Sequence, residues 1–244
     1  MTTTIFLIIS LVLIIFIHEL SHLTIACLVG KKPKILSVGL WKPYISIRIK
    51  GIQFRLTPFI LGGFVSFTDN FNNSIEEVKK LSLYKQLYIY TSGCFGNIIS
   101  GILLIGFCCW YLFRDFTLLF TFINENLILF YSVMTMVFTD TITSINIDTL
   151  FVFIDQIANI NNITIRFAII GSLLFGSLSF ITGLINLIPI PPIDGWHIVQ
   201  GIIEKVRGRN FSYKTNLALT YFGISFVVVF NLYIIFYAIF NSLK

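Results

Sequence analysis

Ile5-Phe6-Leu7-Ile8-Ile9-Ser10-Leu11-Val12-Leu13-Ile14-Ile15-Phe16-Ile17-His18-Glu19-Leu20-Ser21-His22-Leu23-Thr24-Ile25-Ala26-Cys27-Leu28 is the stretch that decides how this chain is read. It is an apolar run long enough to cross a bilayer, which takes about 20 residues for a roughly 30 Å hydrocarbon core. Three ionisable side chains interrupt it in the spacing H-E-x-x-H. On a helix, positions i and i+4 lie on one face, so both imidazoles can reach one metal ion. Glu19 then sits beside that ion, where a carboxylate can take a proton from a bound water. A Glu and two His are costly in lipid, and residues of that kind mark function there.

The surroundings agree with a membrane setting. The chain has 244 residues, 56% hydrophobic and 11% charged, against about 25% charged in a soluble domain. Its 26 Phe and 10 Tyr suit lipid-facing and interfacial surface. A net charge of +6 would suggest nucleic acid in a soluble chain. In a membrane protein it is read as basic cytoplasmic loops, and no nucleic-acid partner is expected. Cys27, Cys94, Cys108 and Cys109 lie in apolar stretches without a C-x-x-C pair, so neither a disulfide framework nor a cysteine zinc site is indicated. Met1-Thr2-Thr3-Thr4 lacks a positive n-region and no small-residue cleavage site follows, so the first helix is expected to be retained.

Four spans are expected, at about 5–28, 86–113, 166–190 and 217–241. Lys31, Lys32, Lys34, Arg48, Arg55 and further basic residues lie between the first two, and Lys205, Arg207, Arg209 and Lys214 between the last two. That asymmetry puts both basic loops in the cytoplasm and both termini outside a cell membrane. From Leu20 to the end of the first span at Leu28 is about 12 Å of helix, so the motif lies in the cytoplasmic half of the bilayer. Residues 35–68 read as strands. Tyr44 to Lys50 alternates, Gly51 offers a turn, and Ile52 to Leu56 alternates again. Leu61-Gly62-Gly63-Phe64-Val65-Ser66-Phe67 is too short to span and is read as part of a sheet dipping into the membrane interface, where protein or a wet cavity must satisfy its backbone. The outer apolar stretch 114–165 is interrupted by Asn124-Glu125-Asn126 and is read as interfacial or re-entrant helices, with six spans in total as the alternative. The fold class is a mainly α-helical membrane protein with a small membrane-associated β-sheet, forming a single domain over 1–244.

A catalytic zinc site usually has three protein ligands. Besides His18 and His22, the candidates are His197 and, better placed, Asp194. Asp194 lies in Asn186-Leu187-Ile188-Pro189-Ile190-Pro191-Pro192-Ile193-Asp194-Gly195, where three prolines in four positions must break the helix. Of the eleven acidic residues, only Glu19 and Asp194 fall within or at the edge of a clear span. Asp194 could alternatively cap a following helix.

An H-E-x-x-H in the first span together with Asn-x-x-Pro-x-Pro-x-x-Asp-Gly in a later one resembles the site-2 protease family of intramembrane zinc metalloproteases. The resemblance covers about residues 5–113 and 166–200. It implies that His18, His22 and Asp194 bind one Zn2+ and that Glu19 is the general base. Gly62-Gly63-Phe64-Val65-Ser66-Phe67 resembles the family's re-entrant β-loop, which implies substrate contacts at Gly63, Phe64 and Phe67. Ser92-Gly93-Cys94-Phe95-Gly96-Asn97 resembles its Gly-Pro-x-x-Asn element, with Cys94 where Pro is common. Asn97 and Asn186 are then candidates for holding the substrate backbone or an oxyanion, or simply for bonding between helices. Trp196 stands where a small residue is frequent and is expected to narrow the site. The stretch 114–165 leaves no room for the PDZ domain of some bacterial members.

The reading is an intramembrane metalloendopeptidase acting on transmembrane protein substrates. A membrane-tethered regulator, an anti-sigma factor, a signal-peptide remnant and a pheromone precursor are consistent with the family. A non-catalytic metal-binding scaffold is the reading of a different class. Glu19 discriminates, because a scaffold has no need of a base beside the two imidazoles. A prenyl-protein protease would carry a downstream Glu or His ligand on a helix, not Asp-Gly after a proline break.

Overall fold

The computed structural model describes residues 2–60, 62–69, 72–135 and 147–242. Its order is α1 (Thr2–Leu28), β1 (Ile35–Val38), β2 (Ile45–Ile49), β3 (Ile52–Leu56), β4 (Gly63–Ser66), α2 (Asn72–Lys79), α3 (Leu83–Phe113), α4 (Thr117–Thr135), α5 (Ile147–Ala158), α6 (Ile163–Ile185), α7 (Asp194–Arg207) and α8 (Tyr213–Ser242). Among the described residues, three helices are long and apolar enough to cross a membrane: Ile8–Leu28 within α1, then α3 and α6. A helix suits these runs because hydrocarbon offers no partner to a backbone N–H or C=O. The sequence leads one to expect four spans, with six as the alternative. The 30-residue α8 covers the place of the fourth. In the 114–165 stretch the structure has α4 and α5, and 136–146 lies outside the described residues. The described part of α5 has 12 residues, fewer than the roughly 20 that a crossing takes.

Helix α3 runs through the middle, packing along both α1 and α6 and reaching α7. It continues as one helix through Cys94, which is buried. Its crossing with α6 is close because both helices put glycine there. A Cβ on Gly101 would lie 2.6 Å from the Gly176 carbonyl, and one on Gly176 would lie 2.9 Å from Ile105. Small residues of this kind let helices approach in lipid, where apolar burial drives nothing. Asn162 starts α6, its side chain accepting from the Thr164 and Ile165 amides at 2.9 and 3.3 Å.

The four strands form one sheet in the order β2-β3-β1-β4. Strands β2 and β3 are the hairpin that the alternation predicts. Lys50 and Gly51 turn it with φ of 49° and 83°, the left-handed pair that a two-residue hairpin loop requires. Strand β1 pairs parallel with β3 and antiparallel with β4. Leu36, Val38 and Ile52 of the sheet pack with Leu23, Val12 and Phe16 of α1. That packing sets β4, an outer strand, beside the H-E-x-x-H segment.

Candidate metal centre

Residues His18 and His22 stand one turn apart on α1, with their rings edge to face at 4.8 Å between centroids. Their Nε2 atoms are 3.2 Å apart. Asp194 reaches both, its Oδ2 lying 2.8 Å from His18 Nε2 and 3.0 Å from His22 Nε2. The proline segment makes this possible. Helix α6 stops at Ile185, and residues 186–193 turn back through short bonds such as Ile190 N–H to Ile188 O at 2.8 Å and Gly195 N–H to Asn186 O at 2.8 Å. Helix α7 then begins at Asp194, so Ile193 and not Asp194 is the N-cap residue. The carboxylate sits in the first turn, where the helix dipole favours a negative charge. Helix α8 backs this segment closely, since a Cβ on Gly223 would lie 1.7 Å from the Pro191 carbonyl oxygen.

Two imidazole nitrogens and one carboxylate oxygen are the donor set of a catalytic zinc site. Ligand atoms at tetrahedral zinc distances stand about 3.3 Å from each other, close to the three separations seen here. Among the described residues, His18, His22 and Asp194 are the group that could hold a metal ion.

Helix α3 supplies what the two imidazoles need behind them. The ring Nδ1 of His22 lies 2.7 Å from the Ile89 carbonyl and 3.2 Å from Ser92 Oγ. The carbonyl can only accept, so it holds the proton on Nδ1 and leaves Nε2 free to ligate. Nδ1 of His18 lies 3.3 Å from the Asn97 amide. Between them is Gly93, where a Cβ would lie 2.3 Å from His22 Nε2 and 2.6 Å from His18 Nε2. No other residue leaves room for both rings.

Glu19 is 6% exposed and lines a cleft of about 180 Å³ with His22, Asp194, Gly63, Phe64 and Phe67. Gly63 admits it, because a Cβ there would stand 2.6 Å from Glu19 Cγ. The three β-loop residues singled out in the sequence therefore share one cleft with the motif. Asn97 and Asn186 do not line it. The amide nitrogen of Asn186 donates to Thr182 O of its own helix at 3.0 Å. His197 is outside the ligand cluster but borders the cleft, stacked on Tyr90 at 5.2 Å between ring centroids. His197 and Pro192 also border a polar cavity of about 550 Å³ between α2, α7 and α8. Trp196 faces that cavity and stacks on Phe211, so it narrows the vestibule and not the cleft itself. Lys79 and Glu204 are paired at 2.7 Å at its edge. Burial pushes the Glu204 carboxyl up, and the bonds from Lys79, the Phe211 amide and Gln200 outweigh it and hold the group below its ordinary range.

The partners of His22, the need for glycine at 93 and the stacking of Tyr90 escape a reading of single motifs. One signal was available. Ile89, Gly93 and Asn97 recur at four-residue spacing on α3, which places them on one helix face.

Two His on an apolar helix and an Asp at the start of α7 form a cluster that could hold a metal ion, with a carboxylate in the adjoining cleft, and this defines a membrane protein with a metalloenzyme-like site. The chain belongs to peptidase family M50, whose family model matches residues 6–230. It is 33% identical over 107 residues to a Helicobacter pylori protein named "Putative zinc metalloprotease", covering 41% of this chain and 31% of that one. It is 35% identical over 98 residues to a Campylobacter jejuni protein, "Putative zinc metalloprotease Cj1068", covering 37% of this chain and 27% of the relative. With the Enterococcus faecalis "Probable protease eep" it shares 46% identity over 56 residues, 23% of this chain and 13% of the relative. The matched stretch thus spans less than a third of each of these relatives.

Proposed function

We propose that this chain is an intramembrane zinc metalloendopeptidase that cuts peptide bonds within or near the transmembrane segments of other membrane proteins. The observation that carries this is the convergence of His18, His22 and Asp194, with Glu19 lining the same cleft. Zinc held by the three would supply Lewis acidity, lowering the pKa of a coordinated water and polarising the carbonyl under attack. Glu19 is the base on this chain that takes a proton from the attacking water and returns it to the departing amide nitrogen. Its low exposure keeps bulk water from competing for that proton.

The substrate's amides are locked in i to i−4 bonds while it is helical, so it must unwind before attack. Strand β4 supports the way this happens. It is an outer strand of the sheet, and Gly63 brings its backbone against Glu19. An unwound segment adding alongside β4 would pass the base and the metal ligands, with Phe64 and Phe67 as side-chain contacts. The proposed setting is a cell membrane crossed by α1, α3, α6 and α8, with both termini outside. The site lies in the cytoplasmic half, and the 550 Å³ vestibule is the route for water.

Co-expression of the chain with reporter-tagged single-pass membrane proteins tests this. Fragments cut within the span by the wild type, and reduced at least about 10²-fold by Glu19→Gln, are the expected result. Equal cleavage by wild type and Glu19→Gln would overturn the assignment of the base. A zinc-loaded wild type that cuts none of a broad panel would favour the metal-binding scaffold.

A further inference from the structure

We infer that Asn97 is a positioning residue for the metal centre: its side-chain amide fixes the tautomer of His18, and it does not hold substrate. This rests on the metal reading above. Asn97 is fully buried on α3, behind His18, and does not line the cleft. Its amide nitrogen is 3.3 Å from His18 Nδ1. Its Oδ1 has no hydrogen-bond partner among the described residues. An orphaned buried oxygen beside an imidazole needs an explanation.

The two ligand histidines differ on this point. His22 Nδ1 faces the Ile89 carbonyl at 2.7 Å, which accepts and never donates. That ring has one usable tautomer, with the proton on Nδ1 and the lone pair on Nε2. His18 Nδ1 faces an amide, which can present either end. With the amide nitrogen forward, Nδ1 must be the acceptor and Nε2 carries the proton, which forbids ligation. With the oxygen forward, Nδ1–H donates to Oδ1 and the Nε2 lone pair is free. A half-turn of the amide exchanges the two and moves no other heavy atom. Ligation by His18 therefore places the orphaned oxygen against Nδ1. The backbone around it is held independently, because the Asn97 carbonyl accepts from Ser179 Oγ and Ser100 Oγ at 3.0 Å each. The position of Asn97 does not depend on its side chain.

The test is zinc binding by the purified full chain and by Asn97→Leu and Asn97→Asp, titrated against a chromophoric chelator, with thermal unfolding as a check of folding. Leu offers no acceptor and is expected to bind zinc about 10–100-fold more weakly. Asp offers only acceptors and is expected to bind at least as tightly as the wild type. With cobalt in place of zinc, the visible d–d spectrum should match the wild type for Asp and differ for Leu. A Leu variant with wild-type zinc affinity and an unchanged cobalt spectrum would overturn the inference, whatever happens to cleavage. If Leu fails to fold, the Asp variant decides: a folded Asp protein with tenfold weaker zinc binding overturns it, and wild-type affinity supports it. A wild type that holds no zinc defeats the metal reading itself, which sets that failure apart.

Discussion

Around Phe153, α3, α5 and α6 meet through Ile105, Cys108, Cys109, Ile157 and Leu173, all apolar and all buried. Around His18, α1, α3 and α7 meet through His22, Gly93, Asn97 and Asp194, of which only glycine lacks a polar side chain. Phe153 is held edge to face by Phe113 and Phe122, at 5.2 and 5.1 Å between centroids. Such contacts depend on volume and shape, and many apolar side chains could supply them. At the metal centre each position is dictated by one atom of another residue. A missing methyl group at 93 makes room for two rings, and a backbone carbonyl at 89 selects a tautomer. One end of the molecule constrains composition; the other constrains identity.

Substitutions in the two regions break or sharpen that contrast. Gly93→Val should have the largest effect. Its side chain would occupy the space of both Nε2 atoms, and zinc affinity should fall more than about 100-fold, read by chelator competition. Gly63→Ala should follow. Its Cβ meets Glu19 Cγ at 2.6 Å, so the base moves while the ligands stay. Cleavage should drop about 10²-fold with zinc content unchanged. At the other end, Phe153→Leu should cost about 1–2 kcal/mol of stability in thermal unfolding, without changing the cleavage rate of the folded protein. The smallest effect should be Gly106→Ala. The nearest atom to its Cβ is Leu119 Cδ2 at 3.4 Å, an ordinary contact. Replacing a helical glycine gains up to about 1 kcal/mol, so stability should rise slightly or stay level. A large loss there would mean that α3 is as exacting at Gly106 as at Gly93.

The same contrast governs what the sequence disclosed. His18, Glu19 and His22 stand out because charge inside an apolar run is costly, and Asp194 because prolines and an acid coincide at a span edge. The β2–β3 hairpin follows from alternation around Gly51. The parallel pairing of β1 with β3 does not, since strand order and register are set by partners distant in sequence. Ile89 carries no mark of its role, because the group that bonds His22 is a carbonyl every residue has. The bond from Asn186 to its own helix is equally unmarked, as the same amide could have faced a substrate. His197 is a candidate ligand by residue type alone, and the turn of α7 that separates it from Asp194 sends it to Tyr90 instead.

The central claim is that Asp194, distant in the chain from the two histidines, completes a zinc site to which Glu19 adds chemistry but no ligation. Zinc per purified chain, measured by elemental mass spectrometry for the wild type, Glu19→Gln and Asp194→Ala, tests it most directly. The account predicts one zinc per chain in the wild type and in Glu19→Gln, and little or none in a folded Asp194→Ala. Full zinc occupancy in Asp194→Ala, or its loss in Glu19→Gln, would contradict it.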